Sequence, residues 1–222
     1  MAVTLSTLKS RARQLADMEN STFIGDTAEL LNMINGSYYE LYDLIVDSFE
    51  DYYVTSTTFT LTSSDSGVYA LPATFYKLRG MDLQIGGNYA TMYPFDWNAR
   101  NRHANRRRAQ YRLMGSNLRI EPRDNAVGSY QLWYVPTLTA LSNDADELDS
   151  IMTRAGWEEY IVVDAAIKML SKEESSTTHL ERMKASVRAR IVAAAAQRDI
   201  DQPERVSDVH DAVGDDDEGR FR

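Results

Sequence analysis

Side chains able to do acid–base, nucleophilic or metal chemistry are few and scattered along this chain. It has three histidines, His103, His179 and His210, far apart and each in polar surroundings, and it has no cysteine. The missing cysteines remove thiol nucleophiles, disulfides, Fe–S clusters and cysteine zinc sites together. No H-E-x-x-H pair, phosphate-cradling G-x-x-x-x-G-K-[ST] loop, dinucleotide G-x-G-x-x-G turn or G-x-S-x-G elbow occurs. Glu158 and Glu159 are adjacent carboxylates. They could serve a glycosidase only in a cleft that holds two carboxyl groups about 5–10 Å apart. Their place in the first turn of a predicted helix accounts for them through the helix dipole instead. Asp164 falls inside an apolar run with Lys168 four residues on, the spacing of an intrahelical ion pair. Asp215, Asp216, Asp217 and Glu218 lack the alternating ligand spacing of a calcium loop and read as a solvated acidic end. The expectation is a protein with no catalytic set, no metal site and no cofactor.

Charge is more informative than motifs. The 222 residues carry a formal net charge of -9, unevenly placed. Between residues 97 and 123 stand Arg100, Arg102, Arg106, Arg107, Arg108, Arg112, Arg119 and Arg123, opposed only by Glu121. Between 199 and 222 nine acidic residues face three arginines. Arginine pairs bidentately with carboxylate or phosphate and stacks on aromatic rings. The basic segment therefore reads as a phosphate contact, as a contact to an acidic protein surface centred on Arg102, Arg106, Arg107, Arg108 and Arg112, or as a solvated hairpin loop. The acidity of the whole chain favours protein over nucleic acid. In the acidic end, Val206, Val209 and Val213 recur at i, i+3 and i+7 with Ala212 beside them. Such a stripe suits a short helix that forms on a partner. Thirteen tyrosines are many for this length. Tyrosine suits surfaces that must be apolar and hydrogen-bonding at once.

The elements that must position these groups come in the order helix, strand, helix, tail. A helix over 4–18 opens at Thr4 with Leu5, Leu8, Ala12 and Leu15 on one face. A second, with Asp26 as N-cap and Glu29 in capping-box spacing, shows Leu30, Ile34, Tyr38, Leu41, Ile45 and Phe49 at intervals of three to four. From Tyr53 the period changes to that of strands: 53–61, 68–71, 81–85, 111–114, 118–121 and 130–135, punctuated by Gly86-Gly87 and Gly115-Ser116 turns. They predict one small antiparallel sheet of five to seven strands. Residues 137–150 read as a polar connector. Helix returns at Trp157 with a segment apolar nearly all round, including Ile161 and Ile167, and again at Thr178, where Glu181 completes a second capping box.

Helices at both chain ends need a partner for their apolar faces. The expectation is an α+β fold: an antiparallel four-helix bundle from residues 1–50 and 151–199, with Leu30, Ile34, Leu41, Trp157, Ile161 and Ile167 in its core. An antiparallel β-domain over 51–150 is inserted in it, and residues 200–222 form an extended C-terminal arm. The start of the chain lacks the charged and apolar regions of a signal peptide, and no stretch approaches the ~20 apolar residues of a membrane span. A cytosolic product, or one packed into an assembly made there, is expected, with no membrane partner.

Several stretches, taken in order, resemble head–tail adaptor proteins of tailed bacteriophages. They are Tyr69-Ala-Leu-Pro-Ala-Thr-Phe-Tyr-Lys-Leu-Arg-Gly-Met-Asp-Leu83, Tyr93-Pro-Phe95 with the Asn/Arg-rich stretch after it, Leu132-Trp-Tyr-Val-Pro136, and Gly156-Trp-Glu-Glu-Tyr-Ile-Val-Val-Asp-Ala-Ala-Ile-Lys168. Lys172-Glu-Glu174 and Ala193-Ala-Ala-Ala-Gln-Arg-Asp199 agree. The resemblance covers roughly residues 25–205 and rests on joint order, since none of these stretches is a mechanistic motif. It implies a structural virion protein in the neck. Such proteins form a ring, usually of twelve copies, beneath the portal. The ring extends the DNA channel and receives a stopper or tail protein, and genomic DNA passes through its lumen without specific binding. It also implies that the arm at Val206, Val209, Ala212 and Val213 docks on the portal. The alternative is a nucleic-acid-binding protein that uses the Arg-rich segment 100–123.

Overall fold

A helix with apolar residues on every side cannot take a place at the rim of a protein; it must be surrounded. The structure, a computed structural model, describes residues 2–98, 109–123 and 126–197. Its helices are α1 (Leu5–Leu15), α2 (Leu31–Ser48), α3 (Ser150–Arg154), α4 (Glu158–Lys172) and α5 (Thr178–Ala196). In α4, Tyr160, Ile161, Val162, Val163, Ala165, Ala166 and Met169 are all buried. Helices α1, α2 and α5 each pack against α4, while α1 and α2 only graze each other.

The expected antiparallel four-helix bundle is therefore a misreading. Among the described residues there are five α-helices and seven strands in two antiparallel sheets, with the middle of the chain rich in sheet. A four-helix bundle needs four comparable stripes facing one axis. Here α4 fills the centre, and the short α3 and the 137–150 connector supply part of the packing. Leu30, Ile34, Leu41 and Ile161 are wholly buried, Trp157 nearly so, and Ile167 packs half-buried against them. Val135, Leu141 and Leu148 join the same core from outside the helices.

The helix starts also differ from expectation. Thr4 caps α1 as predicted, accepting from the Thr7 N–H at 3.3 Å. Asp26 does not cap the next helix, because its carboxylate is taken by Arg13 at 2.7 Å. Gly25 is the N-cap of a five-residue π-turn (Asp26–Leu30) that leads into α2, and its N–H donates to Glu29. At α5 the N-cap is Thr177, one residue early; its hydroxyl donates to Glu181 at 2.6 Å.

The strands are β1 (Thr55–Leu61), β2 (Val68–Ala70), β3 (Phe75–Ile85), β4 (Asn88–Thr91), β5 (Gln110–Met114), β6 (Asn117–Glu121) and β7 (Gly128–Pro136). They make two sheets and not one: β1-β7-β3-β4 and β2-β6-β5. Alternation places Phe59, Met81, Tyr130 and Leu132 of the first sheet and Leu118 and Ile120 of the second in a second core. Phe59 of β1 stacks on Tyr69 of β2 with ring centroids 3.7 Å apart. Strand β7 joins the two cores: Tyr134 faces the sheet core while Val135 faces the helices, and Tyr42 of α2 donates its hydroxyl to the Pro136 carbonyl at 2.5 Å.

The connector is a strap and not a slack linker. Leu5 N–H donates to Asp146 O, Ser6 N–H to Asp144 O, and Leu148 N–H to Val3 O. Asn35 of α2 holds Leu141 through both backbone groups, each at 2.9 Å. The Asp146 carboxylate accepts the Asn143 and Ser142 N–H groups, which pull its pKa down to about 2. If α4 is the centre of the helical core, Ile161→Ala opens a cavity against three helices. The expected loss is about 3 kcal/mol in urea unfolding.

Candidate functional site

The most concentrated polar constellation lies where α2, α4 and α5 meet. Asp164 is 3% exposed, inside the apolar middle of α4. Its Oδ2 accepts from Ser37 at 2.6 Å and pairs with Lys168 at 2.6 Å; its Oδ1 pairs with Lys184 at 2.6 Å. Glu40 bridges the same two lysines at 3.5 and 3.1 Å and accepts the Tyr160 hydroxyl at 3.2 Å. Burial pushes the Asp164 carboxyl up, but the bonds from Lys168, Lys184 and Ser37 outweigh it and hold the group below its ordinary value. Burial likewise pulls Lys184 down, and Asp164 more than reverses it. Both partners stay charged at neutral pH. The predicted Lys168 pair is present; Ser37, Glu40, Tyr160 and Lys184 are members that local sequence could not reveal.

Glu158 and Glu159 sit in the first turn of α4, and both turn to Arg11 of α1. They brace two helices and do not face each other across a cleft. A third cluster gathers Tyr38, Tyr42 and Tyr53 near Asp149, with Tyr53 donating to its Oδ1 at 3.1 Å. Burial pushes Tyr38 and Tyr42 up to about 12 and Tyr53 further, so all three stay neutral; Tyr42 and Tyr53 donate, and Tyr38 accepts the Asp149 N–H at 3.3 Å. Along the exposed end of α2 and the turn after it, Asp43, Asp47 and Asp51 pair with Tyr76, Lys77 and Arg79 of β3. These contacts lash the helical side to the sheets.

Only part of the Arg-rich segment is described. Arg102, Arg106, Arg107 and Arg108 lie outside the described residues, as do Val206, Val209, Ala212 and Val213. Arg112 on β5 donates to the Phe95 carbonyl at 3.0 Å and lies 5.9 Å from the Trp97 ring centroid. Arg119 and Arg123 both turn to Glu121. Tyr93, Trp97 and Leu113 are exposed in the same region.

The described carboxylates of these clusters are committed to arginine, lysine, tyrosine and serine partners within the chain, and large aromatic residues remain at the surface. These clusters tie the described helices and strands to one another, and one buried carboxylate oxygen, Glu158 Oε2, has no hydrogen-bond partner. A family model described as SU10 adaptor protein matches residues 3–207, and the chain belongs to that family. The resemblance to phage head–tail adaptors is thus a family membership. The family is one of structural phage adaptors, and the chain is accordingly a virion component that associates with other virion proteins. No curated protein matches the chain. No helix among the described residues is long and apolar enough to cross a membrane.

The Asp164 network generates a pH-dependent prediction. Asp164→Asn leaves two lysines facing a neutral amide, at an expected cost of about 2–3 kcal/mol because both lysines still reach water. A carboxyl with a depressed folded pKa stabilises above its unfolded value of 3.8 and loses that contribution as pH falls through the folded value. The stability difference between wild type and Asp164→Asn, measured by urea unfolding, is therefore full at pH 7 and shrinks on acidification below that point.

Proposed function

We propose that this chain assembles into a ring, of twelve copies, beneath the portal of a tailed phage, extends the DNA channel and joins the capsid to a stopper or tail protein. The family match over residues 3–207 is the observation that carries this reading. The helices of residues 1–50 and 151–199 act as one unit, and residues 51–150 carry the sheets of the other, their 137–150 strap packed on the helices. Residues 200–222 serve as the arm, with Val206, Val209, Ala212 and Val213 as its apolar anchor on the portal. Arg102, Arg106, Arg107, Arg108 and Arg112 contact an acidic protein surface.

Electrostatics supports a conduit. A lumen should not grip the duplex, and a net charge of -9 repels phosphate where a basic lining would bind it. Nucleic-acid binding through residues 100–123 is the competing reading. It is favoured by one observation: Arg112 stands over Trp97, with Tyr93 exposed nearby, and Arg beside aromatic rings is also how single strands are held.

The two readings separate in solution. Mixed with purified portal rings, the protein adds as a discrete multiple of its 25.2 kDa mass, seen by native mass spectrometry, and deleting residues 200–222 abolishes the addition. Charge reversal at Arg106, Arg107 and Arg108 weakens the addition. Monomers throughout, with DNA affinity that falls steeply with salt, would overturn the adaptor reading.

A further inference from the structure

A strand at the edge of a sheet presents a row of unpaired N–H and C=O groups. Proteins that must stay monomeric blunt such edges with charge, proline, bulges, short length or a covering segment. Among the described residues, three of the four sheet edges follow that rule at least in part. Strand β2 has three residues and β4 has four. The outer edge of β5 is covered by the chain itself: Tyr111 N–H donates to Tyr93 O at 3.2 Å, and Phe95 N–H donates to Tyr111 O at 3.0 Å.

Strand β1 breaks the rule. It runs seven residues, Thr55-Ser-Thr-Thr-Phe-Thr-Leu61, without charge, proline or glycine. It pairs with β7 at seven consecutive positions with no bulge. Among the described residues no strand takes its other side. Strand β4, at the far edge of the same sheet, is also uncharged and is exposed at all four positions. This happens in a chain of which 26% of the residues are charged. The hairpin that carries β4 also exposes Ile85 (60%) and Tyr89 (51%).

Direction completes the match. The order is β1-β7-β3-β4 and every neighbouring pair is antiparallel, so β1 and β4 run in opposite senses. A second copy in the same orientation can set its β1 beside the first copy's β4, and the alternation continues without a break. We propose that β4 of one copy pairs antiparallel with β1 of the next, making one continuous sheet through the assembly. The occupant of the open edge is a second copy of this chain. The contact is head to tail and joins two different surfaces, the type that closes rings, whereas β1 against β1 would stop at a dimer. Backbone hydrogen bonds supply the affinity, as in strand addition to other sheets. Tyr89 then lies beside the Thr/Ser outer face of β1. This inference rests on the ring reading above.

The absence of cysteine makes the test clean. Register puts Thr58 opposite Gln131, Gln131 opposite Asp82, and Asp82 opposite Thr91, so Thr58 and Thr91 share the outer face, and Tyr89, two residues before Thr91, lies on it too. Within one chain the two edge strands are three strand spacings apart, about 14 Å, beyond the reach of a disulfide. The variants are Thr58→Cys, Tyr89→Cys and the two combined, with Ser56, Thr60 and Thr91 substituted in turn to cover a two-residue shift of register. Each is checked for native circular dichroism, assembled on portal rings and then mildly oxidised. Mixed single variants should cross-link Thr58→Cys copies to Tyr89→Cys copies and not to each other. The double variant should give a ladder ending at the ring size on a non-reducing gel. Rings of the right mass with no β1–β4 cross-link at any of these positions, or with Thr58→Cys homodimers, would overturn the edge pairing and leave the ring standing. Failure to assemble before oxidation would overturn the ring, and the edge pairing with it.

Discussion

A carboxylate stays ionised inside apolar packing only if cations and hydrogen-bond donors are brought to it. Asp164 imposes that condition on the helical half of this molecule. Its own helix supplies one lysine, α5 supplies the other and α2 supplies a serine hydroxyl. Glu40 then holds both lysines from the α2 side. Three helices are thereby fixed in relative rotation and height, which general apolar contact cannot do alone. α5, with only Leu180, Ile191 and Ala195 fully buried, depends most on this tie.

The sheet half is located by shared residues and not by a single interface. β7 places neighbouring side chains in different cores, and Tyr42 fastens the end of that strand to α2. The acidic end of α2 and the turn after it hold the first half of β3. The strap over 137–150 returns the chain to α1 by backbone hydrogen bonds. These contacts cover the Val135 end of the outer face of the four-stranded sheet, and among the described residues no strand pairs with the outer side of β1 or of β4.

Periodicity made the buried faces of α1, α2 and α4 legible, because Leu5, Leu8, Leu30, Ile34, Leu41 and Ile161 recur at helical spacing. It did not reveal how those faces combine. An all-round apolar α4 was visible as such, yet its consequence, a central helix in place of a four-way bundle, needed the third dimension. The first half of β3 escaped because two register shifts, between Phe75 and Lys77 and between Leu78 and Gly80, break the alternation a strand should show. The strand pattern predicts one sheet where two form, since pairing order is a long-range property that strand patterns do not encode. Of the Asp164 site, only the four-residue spacing to Lys168 could be seen; Ser37 is 127 residues away. Of the arginines named for contact, Arg112 is placed on β5 and the other four lie outside the described residues.

The described ionic clusters hold this chain together from within, and the uncharged edges of β1 and β4 and the exposed tyrosines are what the proposed ring would use. Membership of a phage adaptor family makes the chain a virion component. Cryo-electron microscopy of the virion neck, at a resolution that traces the backbone, tests this most directly. The account predicts this fold repeated around the channel axis directly below the portal, with each four-stranded sheet continuing into the next. Density for the chain away from the neck, or a single unassembled copy there, would contradict it.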